Sequence, residues 1–104
     1  SGQDCTAATR AIVAADHFDA FTDRVAELMA GVRLGDPSDP ATDMGSLISL
    51  PHRDRVAAMV ERAREAGATI RTGGQIPTRD HLGGGLPGDP ASPAYYAPTL
   101  ITGI

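Results

Sequence analysis

The sequence has 104 residues, one cysteine, no tryptophan and a formal net charge of −4 from nine cationic and thirteen acidic side chains. This length predicts a single small domain, and an acidic chain without a basic stretch excludes a nucleic-acid-binding function. All nine cations are arginine, which excludes a Schiff-base lysine and a phosphate-loop lysine. No apolar run approaches the roughly 18 residues of a membrane span. Because a lone cysteine forms no internal disulfide, we expect a cytoplasmic protein without membrane contact.

The first third of the chain predicts a strand followed by a helix. Residues 9–15 (TRAIVAA) form a short apolar run between polar flanks, which is typical of a buried strand. Asp16 then predicts a helix N-cap, and Gly31 predicts the end of that helix. Between them, apolar residues recur at helical spacing: Phe18, Phe21, Val25, Leu28 and Met29.

A second helix is predicted after a connector at residues 34–42 that is rich in proline and aspartate. Ser49 predicts its N-cap, and Pro51 lies in the first turn, where its missing N–H costs little. Gly67 predicts its end. The apolar stripe of this helix consists of Val56, Met59, Val60 and Ala63.

Two more strands are predicted, at residues 68–72 and 95–102. Gly73 and Gly74 end the first of them, and Pro98 restricts the second to an edge or bulged position because it lacks an N–H group. The order strand, helix, loop, helix, strand, loop, strand predicts an α/β fold with a parallel-type sheet and helices packed on it.

Cys5 is the principal candidate for a reactive group. It follows Gly2, which permits a positive φ, and it precedes residues 6–8, which we expect to begin a helical turn. The exposed N–H groups of such a turn favour the thiolate, which is the nucleophilic form of cysteine. The carboxylate of Asp4 acts in the opposite direction because it disfavours a second negative charge.

A glycine-rich stretch matches the dinucleotide-binding pattern G-x-G-x-x-G at Gly83, Gly85 and Gly88. That pattern binds a pyrophosphate only between a strand and the start of a helix. Here residues 89–93 (DPASP) follow, and they cannot open a regular helix. We therefore predict a loop and not a nucleotide site.

The three histidines, His17, His52 and His81, have no metal-ligand spacing, and there is no second cysteine. No metal site is predicted. The partners of a catalytic thiol need not be close in sequence. A small hydrolase that pairs Cys5 with His52 or His81 therefore remains open, as does a non-catalytic scaffold module.

The motif Gly2-Gln3-x-Cys5 is the first of several short motifs that extend along the whole chain. The others are Leu34-Gly35-Asp36-Pro37, Met44-Gly45-x-Leu47-Ile48-Ser49, His52 with Arg55-Val56, Gly67-Ala68, Gly73-Gly74 and Tyr96-x-Pro98-Thr99-Leu100. In this order they resemble the aldehyde dehydrogenase superfamily. The form GQDCTA is most similar to aminoaldehyde and betaine-aldehyde dehydrogenases.

The resemblance implies that residues 1–104 are a single segment of a catalytic domain from a longer enzyme that uses NAD or NADP. The implied nucleophile is Cys5, whose thiolate adds to an aldehyde to give a thiohemiacetal. A hydride then leaves for the nicotinamide, and water hydrolyses the resulting thioester to a carboxylic acid.

The same resemblance implies what the chain lacks. The general-base glutamate and the cofactor-binding domain of the family lie upstream, and its ribose-binding glutamate lies downstream. His52 and Arg55 belong to a helix that approaches the cofactor in some relatives, but the cofactor-binding residues of this chain are unknown. We expect the isolated chain to be inactive, with the remainder of the parent chain and a second copy as partners that cover apolar surface.

Overall fold

The computed structural model describes residues 2–78, 82 and 94–104. The helices and strands are a 3-10 turn at Ala15–His17, helix α1 at Phe18–Ala30, helix α2 at Leu50–Glu65, strand β1 at Thr69–Thr72 and strand β2 at Leu100–Thr102. Helix α1 packs against both strands, and helix α2 packs against β1. This arrangement of helices on a sheet confirms the predicted α/β class.

The two strands are antiparallel, with Thr69 opposite Thr102 and Ile70 opposite Ile101. The prediction of parallel-type pairing is therefore wrong for these strands. A parallel pair needs a connection that brings the chain back to the same end of the sheet, usually a helix, and none occurs in the described residues between β1 and β2. Strand β2 covers Leu100–Thr102 of the predicted strand at 95–102, so Pro98 lies outside it. The register shift occurs in β1, between Ile70 and Thr72, and not at Pro98.

Residues 9–15 form no strand, contrary to the prediction. Ile12 is 96% exposed, and Val13 is half-buried. No described residue pairs with this run. A strand needs a neighbour for its N–H and C=O groups, so an apolar run alone does not form one.

The predicted boundaries of helix α2 are confirmed. The hydroxyl of Ser49 accepts a hydrogen bond from the N–H of His52 at 3.3 Å, as an N-cap does. At the other end Gly67 has φ of +91°. Its N–H donates to Arg64 O at 3.0 Å, and the N–H of the next residue donates to Ala63 O at 3.0 Å. These two bonds form a Schellman motif, which requires a residue that tolerates positive φ.

The N-cap of helix α1 lies one residue later than predicted. Asp16 lies inside the 3-10 turn, and the N-cap position belongs to His17, whose side chain makes no capping hydrogen bond. The prediction for Asp16 is therefore wrong, whereas Gly31 is the C-cap as predicted. The buried residue of α1 is Thr22, whose hydroxyl donates to Phe18 O at 2.8 Å.

The main apolar cluster contains no residue of the N-terminal segment. It consists of Leu34, Leu82 and Tyr95, with Val32 and Met44 packed against it. Tyr95 is 2% exposed, and its hydroxyl donates to the carbonyl of Gly35 at 2.7 Å. The start of the predicted connector is thus part of the core, although the connector itself has neither helix nor strand.

Candidate active site

An open groove of about 710 Å³ contains the thiol of Cys5, and this side chain is exposed. The described residues that line the groove are Gly2, Gln3, Asp4, Cys5, Ile48 and His52. The first four come from the start of the chain. Of the other two, Ile48 precedes α2 and His52 lies in its first turn. The groove therefore forms only where these distant segments meet.

A hydrogen bond of Gln3 joins the two segments that line the groove. The side-chain carbonyl of Gln3 accepts from the N–H of Ile48 at 2.9 Å, across 45 residues of sequence. Gly2 has φ of +73°, so the positive φ expected at this residue is confirmed. Helix α2 places His52 on the opposite wall, since Ser49 caps its first turn beside the groove.

The backbone around Cys5 forms a tight turn and not the helical turn expected at residues 6–8. The N–H of Ala7 donates to Asp4 O at 3.0 Å. Both the N–H and the hydroxyl of Thr6 donate to Asp4 Oδ1, each at 2.9 Å. Asp4 therefore takes up the N–H groups that were expected to favour the thiolate.

The N–H of Cys5 itself is not used in this way. Among residues 2–78, 82 and 94–104, it donates to no backbone or side-chain acceptor. This N–H group therefore remains open to an acceptor outside the described residues.

Asp4 is the acidic side chain of the groove. The backbone N–H of Thr6, its hydroxyl and the thiol of Cys5, in order of decreasing contribution, lower the pKa of Asp4 below its ordinary value. The carboxylate is therefore ionised near neutral pH. A permanent negative charge thus lies next to the candidate nucleophile.

The histidines differ in their relation to Cys5. His52 lines the same groove, whereas His17 is exposed and lies 3.8 Å from the carboxylate of Asp16. His81 and the glycine pattern lie outside the described residues. In the part of the chain that the structure describes, no three His, Cys, Asp or Glu side chains are grouped so that they could hold a metal ion. No helix of that same part is long and apolar enough to cross a bilayer.

The described residues contain no pyrophosphate-binding motif of the kind that the glycine pattern would predict. That motif is a glycine-rich turn between a strand and the N-terminus of a helix. Strand β1 does lead into Gly73 and Gly74, but no helix follows before Thr78, where this described stretch ends. Arg55 is exposed on α2 and does not line the groove.

Sequence reasoning identified Cys5 but missed how the groove is built. The hydrogen bond by which Gln3 joins the two segments was not predicted, although Gln3 belongs to the motif that contains the cysteine. Ile48 was also missed, and its side chain is 84% exposed beside the thiol. The Gln3–Ile48 bond joins residues that no local pattern connects, so only the tertiary structure could identify it.

The whole chain matches one protein-family model. This model is described as the aldehyde dehydrogenase family, and the match covers residues 1–104. The chain belongs to the aldehyde dehydrogenase family. The resemblance found in the motifs from Gly2 to Leu100 is thereby confirmed.

Two curated members of this family illustrate the similarity. An NADP(+) succinate-semialdehyde dehydrogenase from Mycolicibacterium paratuberculosis is 44% identical over 104 residues. Its counterpart from Mycobacterium tuberculosis is 45% identical over the same length. Each match covers all of this chain but only 20% of the relative, so the chain spans about a fifth of these curated aldehyde dehydrogenases.

Solved aldehyde dehydrogenases contain the same fold. A betaine aldehyde dehydrogenase mutant from Staphylococcus aureus, with a BME-modified cysteine, superimposes with a TM-score of 0.86 at 32% identity. The match covers 99% of this chain and 19% of that structure. The NAD+ complex of the S. aureus enzyme gives a TM-score of 0.83, covering 96% of this chain and 18% of that structure.

Proposed function

We propose that residues 1–104 are a segment of the catalytic domain of a longer aldehyde dehydrogenase, in which Cys5 is the nucleophile. The longer enzyme oxidises an aldehyde to a carboxylic acid, with NAD or NADP as oxidant. The observation that carries the proposal is the exposure of the Cys5 thiol in a groove, within a chain whose full length matches the family model.

The first chemical step follows from the side chain and its own backbone. The sulfur lone pair forms a C–S bond to the aldehyde carbon, and the electrons of the carbonyl π bond move to oxygen. The N–H of Cys5, which donates to none of the described residues, then donates to that oxyanion. The proton of the thiol leaves for a base in another part of the longer enzyme.

The later steps require groups beyond those described. The oxidation removes a hydride from the thiohemiacetal carbon, and a water molecule then replaces the sulfur of the thioester. Because the described residues contain no strand–glycine turn–helix motif, we assign the pyrophosphate of the cofactor to other parts of the longer chain. The use of a nicotinamide cofactor is supported by the relatives, which include an NADP(+) succinate-semialdehyde dehydrogenase and a betaine aldehyde dehydrogenase in complex with NAD+.

The partners belong to the same proposal. Large apolar side chains are exposed on several parts of the chain, among them Ile12 at 96%, Leu28 at 57% and Met59 at 53%. We assign the remainder of the parent chain and a second copy as the partners that cover this surface. A cytoplasmic location, expected from the single unpaired cysteine, is also part of this proposal.

The direct test removes the sulfur from the longer enzyme. Replacing the thiol in Cys5→Ala should lower kcat/KM for aldehydes by at least about a thousandfold, because no other group can form the covalent intermediate. Thr9→Ala changes an exposed polar residue of the same segment outside the groove, and it should leave the rate within about twofold. Full dehydrogenase activity in the Cys5→Ala enzyme would contradict the proposal.

A second candidate is a thiol hydrolase, which is favoured by the shared groove of Cys5 and His52. A hydrolase of this kind needs the histidine to accept the thiol proton. Among the described residues, no hydrogen bond joins the Cys5 thiol to His52. Ester hydrolysis by the 104-residue chain that disappears in His52→Gln, with a rising pH–rate profile through the histidine range, would favour this candidate.

A further inference from the structure

The side chain of Gln3 joins the segment that contains Cys5 to the start of helix α2. The hydrogen bonds between Asp4 and Thr6 are local, since they connect residues two positions apart. Such local bonds shape the turn around the sulfur, but they do not determine where that turn lies relative to α2. The bond from the N–H of Ile48 to Gln3 Oε1, at 2.9 Å, crosses 45 residues and does relate the two segments.

Ile48 is a well-defined point of attachment because both of its neighbours make hydrogen bonds of their own. The N–H of Leu47 donates to Ala94 O at 2.8 Å. On the other side, the hydroxyl of Ser49 caps α2 by accepting from the N–H of His52 at 3.3 Å. The amide between them is thus held from both sides, and a side chain that accepts from it is placed at the start of the helix.

We infer that Gln3 is a positioning residue for the proposed nucleophile, because its hydrogen bond to Ile48 sets where the Cys5 sulfur lies in the groove. The inference rests on the proposed function and adds how the nucleophile is held. All three residues line the same groove. The main chain from Gln3 to Cys5 spans at most about 7 Å, so a loss of the bond reaches the sulfur over a short stretch.

The position of the sulfur has a larger effect on the reaction than on the stability of the fold. Addition to an aldehyde needs the sulfur about 3–3.5 Å from the carbonyl carbon, and a displacement of about 1 Å lowers the rate about a hundredfold. The amide of Gln3 carries no charge and does not titrate, so it provides neither a proton nor a fixed charge. Its contribution is therefore to geometry, through Cys5.

The first experiment compares three substitutions of Gln3 in the longer enzyme, with propanal as the aldehyde. Gln3→Met keeps the length of the side chain but lacks the carbonyl acceptor, and it should lower kcat/KM by about thirtyfold. Gln3→Asn keeps the amide on a side chain shorter by about 1.5 Å, so its loss should be intermediate. Gln3→Glu keeps both length and acceptor, and it should remain within about threefold of wild type. Equal rates in the wild type and Gln3→Met overturn the inference.

Thr99→Val is the matched control for a loss of stability. The hydroxyl of Thr99 accepts from the N–H of Gly74 at 2.9 Å, so a side-chain oxygen again binds a backbone N–H, here across 25 residues. Thr99 does not line the groove. Thr99→Val and Gln3→Met should both lower the urea midpoint, but Thr99→Val should leave kcat/KM within about twofold. An equal decrease of kcat/KM in the two variants overturns the inference.

The reaction of Cys5 with iodoacetamide separates the position of the sulfur from its reactivity. Cys5 is exposed and is the single cysteine of the 104-residue chain, so the reaction can be followed without substrate or cofactor. A small reagent approaches an exposed thiol from many directions, and Gln3→Met should leave this rate within about threefold of wild type. A decrease as large as that of kcat/KM would assign Gln3 to the chemistry of the thiol and overturn the inference.

A nitroxide spin label on Cys5 of the 104-residue chain measures the attachment directly. Its electron paramagnetic resonance spectrum should show faster motion in Gln3→Met than in the wild type. The spectra of Gln3→Glu and Thr99→Val should match the wild type. The same mobility in the wild type and Gln3→Met overturns the inference.

The rate and spin-label measurements distinguish a failure of this inference from a failure of the proposed function. If Cys5→Ala keeps full dehydrogenase activity while the mobility of the label depends on Gln3, the proposed function fails and the placement of Cys5 by Gln3 stands. If aldehyde oxidation requires Cys5 but neither kcat/KM nor the mobility depends on Gln3, the proposed function stands and the inference fails.

Discussion

The segment at residues 2–17 and the region around Tyr95 differ in almost every structural respect. The first contains the exposed thiol of Cys5, has a single short 3-10 turn among its described residues, and is joined to the residues before α2 by the Gln3–Ile48 bond. The second has a ring that is 2% exposed and a buried hydrogen bond to Gly35. The exposed thiol and the packed core thus lie in different parts of this chain, as is common where a functional loop lies on a packed scaffold.

Two adjacent N–H groups show where these regions meet. The N–H of Leu47 donates to Ala94 O at 2.8 Å, next to Tyr95. The N–H of the next residue, Ile48, donates to Gln3 at 2.9 Å. A change in one region should therefore leave a measurable signal at one of these amides and not at the other.

The largest expected effect concerns the scaffold at Gly73. A Cβ atom there would lie 2.0 Å from the carbonyl oxygen of Pro98, and the residue has φ of +71°. Gly73→Ala should lower the free energy of unfolding by about 3 kcal/mol or more, because a backbone clash adds to the cost of positive φ. Urea unfolding followed by circular dichroism measures this loss.

Gly67→Ala is the control for the cost of placing a side chain on a residue with positive φ. Gly67 also has positive φ, at +91°, but a Cβ atom there meets nothing within 4 Å. It should cost about 1 kcal/mol, so the difference between the two variants isolates the contact with Pro98. Equal losses for both variants would show that the close approach at Gly73 contributes nothing.

A smaller effect is expected where the thiol segment is attached. Gln3→Ala removes the acceptor of the Ile48 N–H, and it should lower the free energy of unfolding by about 1 kcal/mol. Hydrogen exchange at the Ile48 amide should accelerate about tenfold, while exchange at Leu47 stays close to wild type. Gln3→Glu keeps an acceptor oxygen and serves as the matched control. Parallel acceleration at both amides would show that the two regions open together.

The smallest expected effect is a pH dependence of the scaffold. The Arg33 guanidinium, followed by its backbone N–H, lowers the pKa of Asp43 from 3.8 to about 2. Because the folded-state pKa is the lower one, the ionised carboxylate stabilises the fold above about pH 4, and this contribution is lost as the pH falls towards 2. Both groups are exposed, so the change should be small.

The measurement for this ion pair compares urea midpoints at pH 5, 3 and 2. Asp43→Asn removes the carboxylate, so the decrease in midpoint over this range should be smaller than in the wild type. Arg33→Gln removes the guanidinium, which is the main cause of the lowered pKa, and should have a similar effect. An unchanged pH dependence in both variants would show that the Arg33–Asp43 pair does not contribute to stability.

Local signals in the sequence determined several features of this protein. Ser49 and Gly67 delimit helix α2 as predicted, because a helix cap needs only residues three to five positions apart. Strand β1 begins within one residue of its predicted start, for similar local reasons. The order of the short motifs was enough to identify the family, and Cys5 was identified as the candidate nucleophile before any geometry was known.

Only the tertiary structure decided how these pieces come together. The antiparallel pairing of β1 and β2, the exposure of Ile12 and the Gln3–Ile48 bond depend on which distant segments lie beside one another. An apolar run or a polar side chain has the same local sequence whether or not it finds a partner. The partner of Gln3 lies 45 residues away and that of Tyr95 lies 60 residues away, beyond the range of any cap or periodicity.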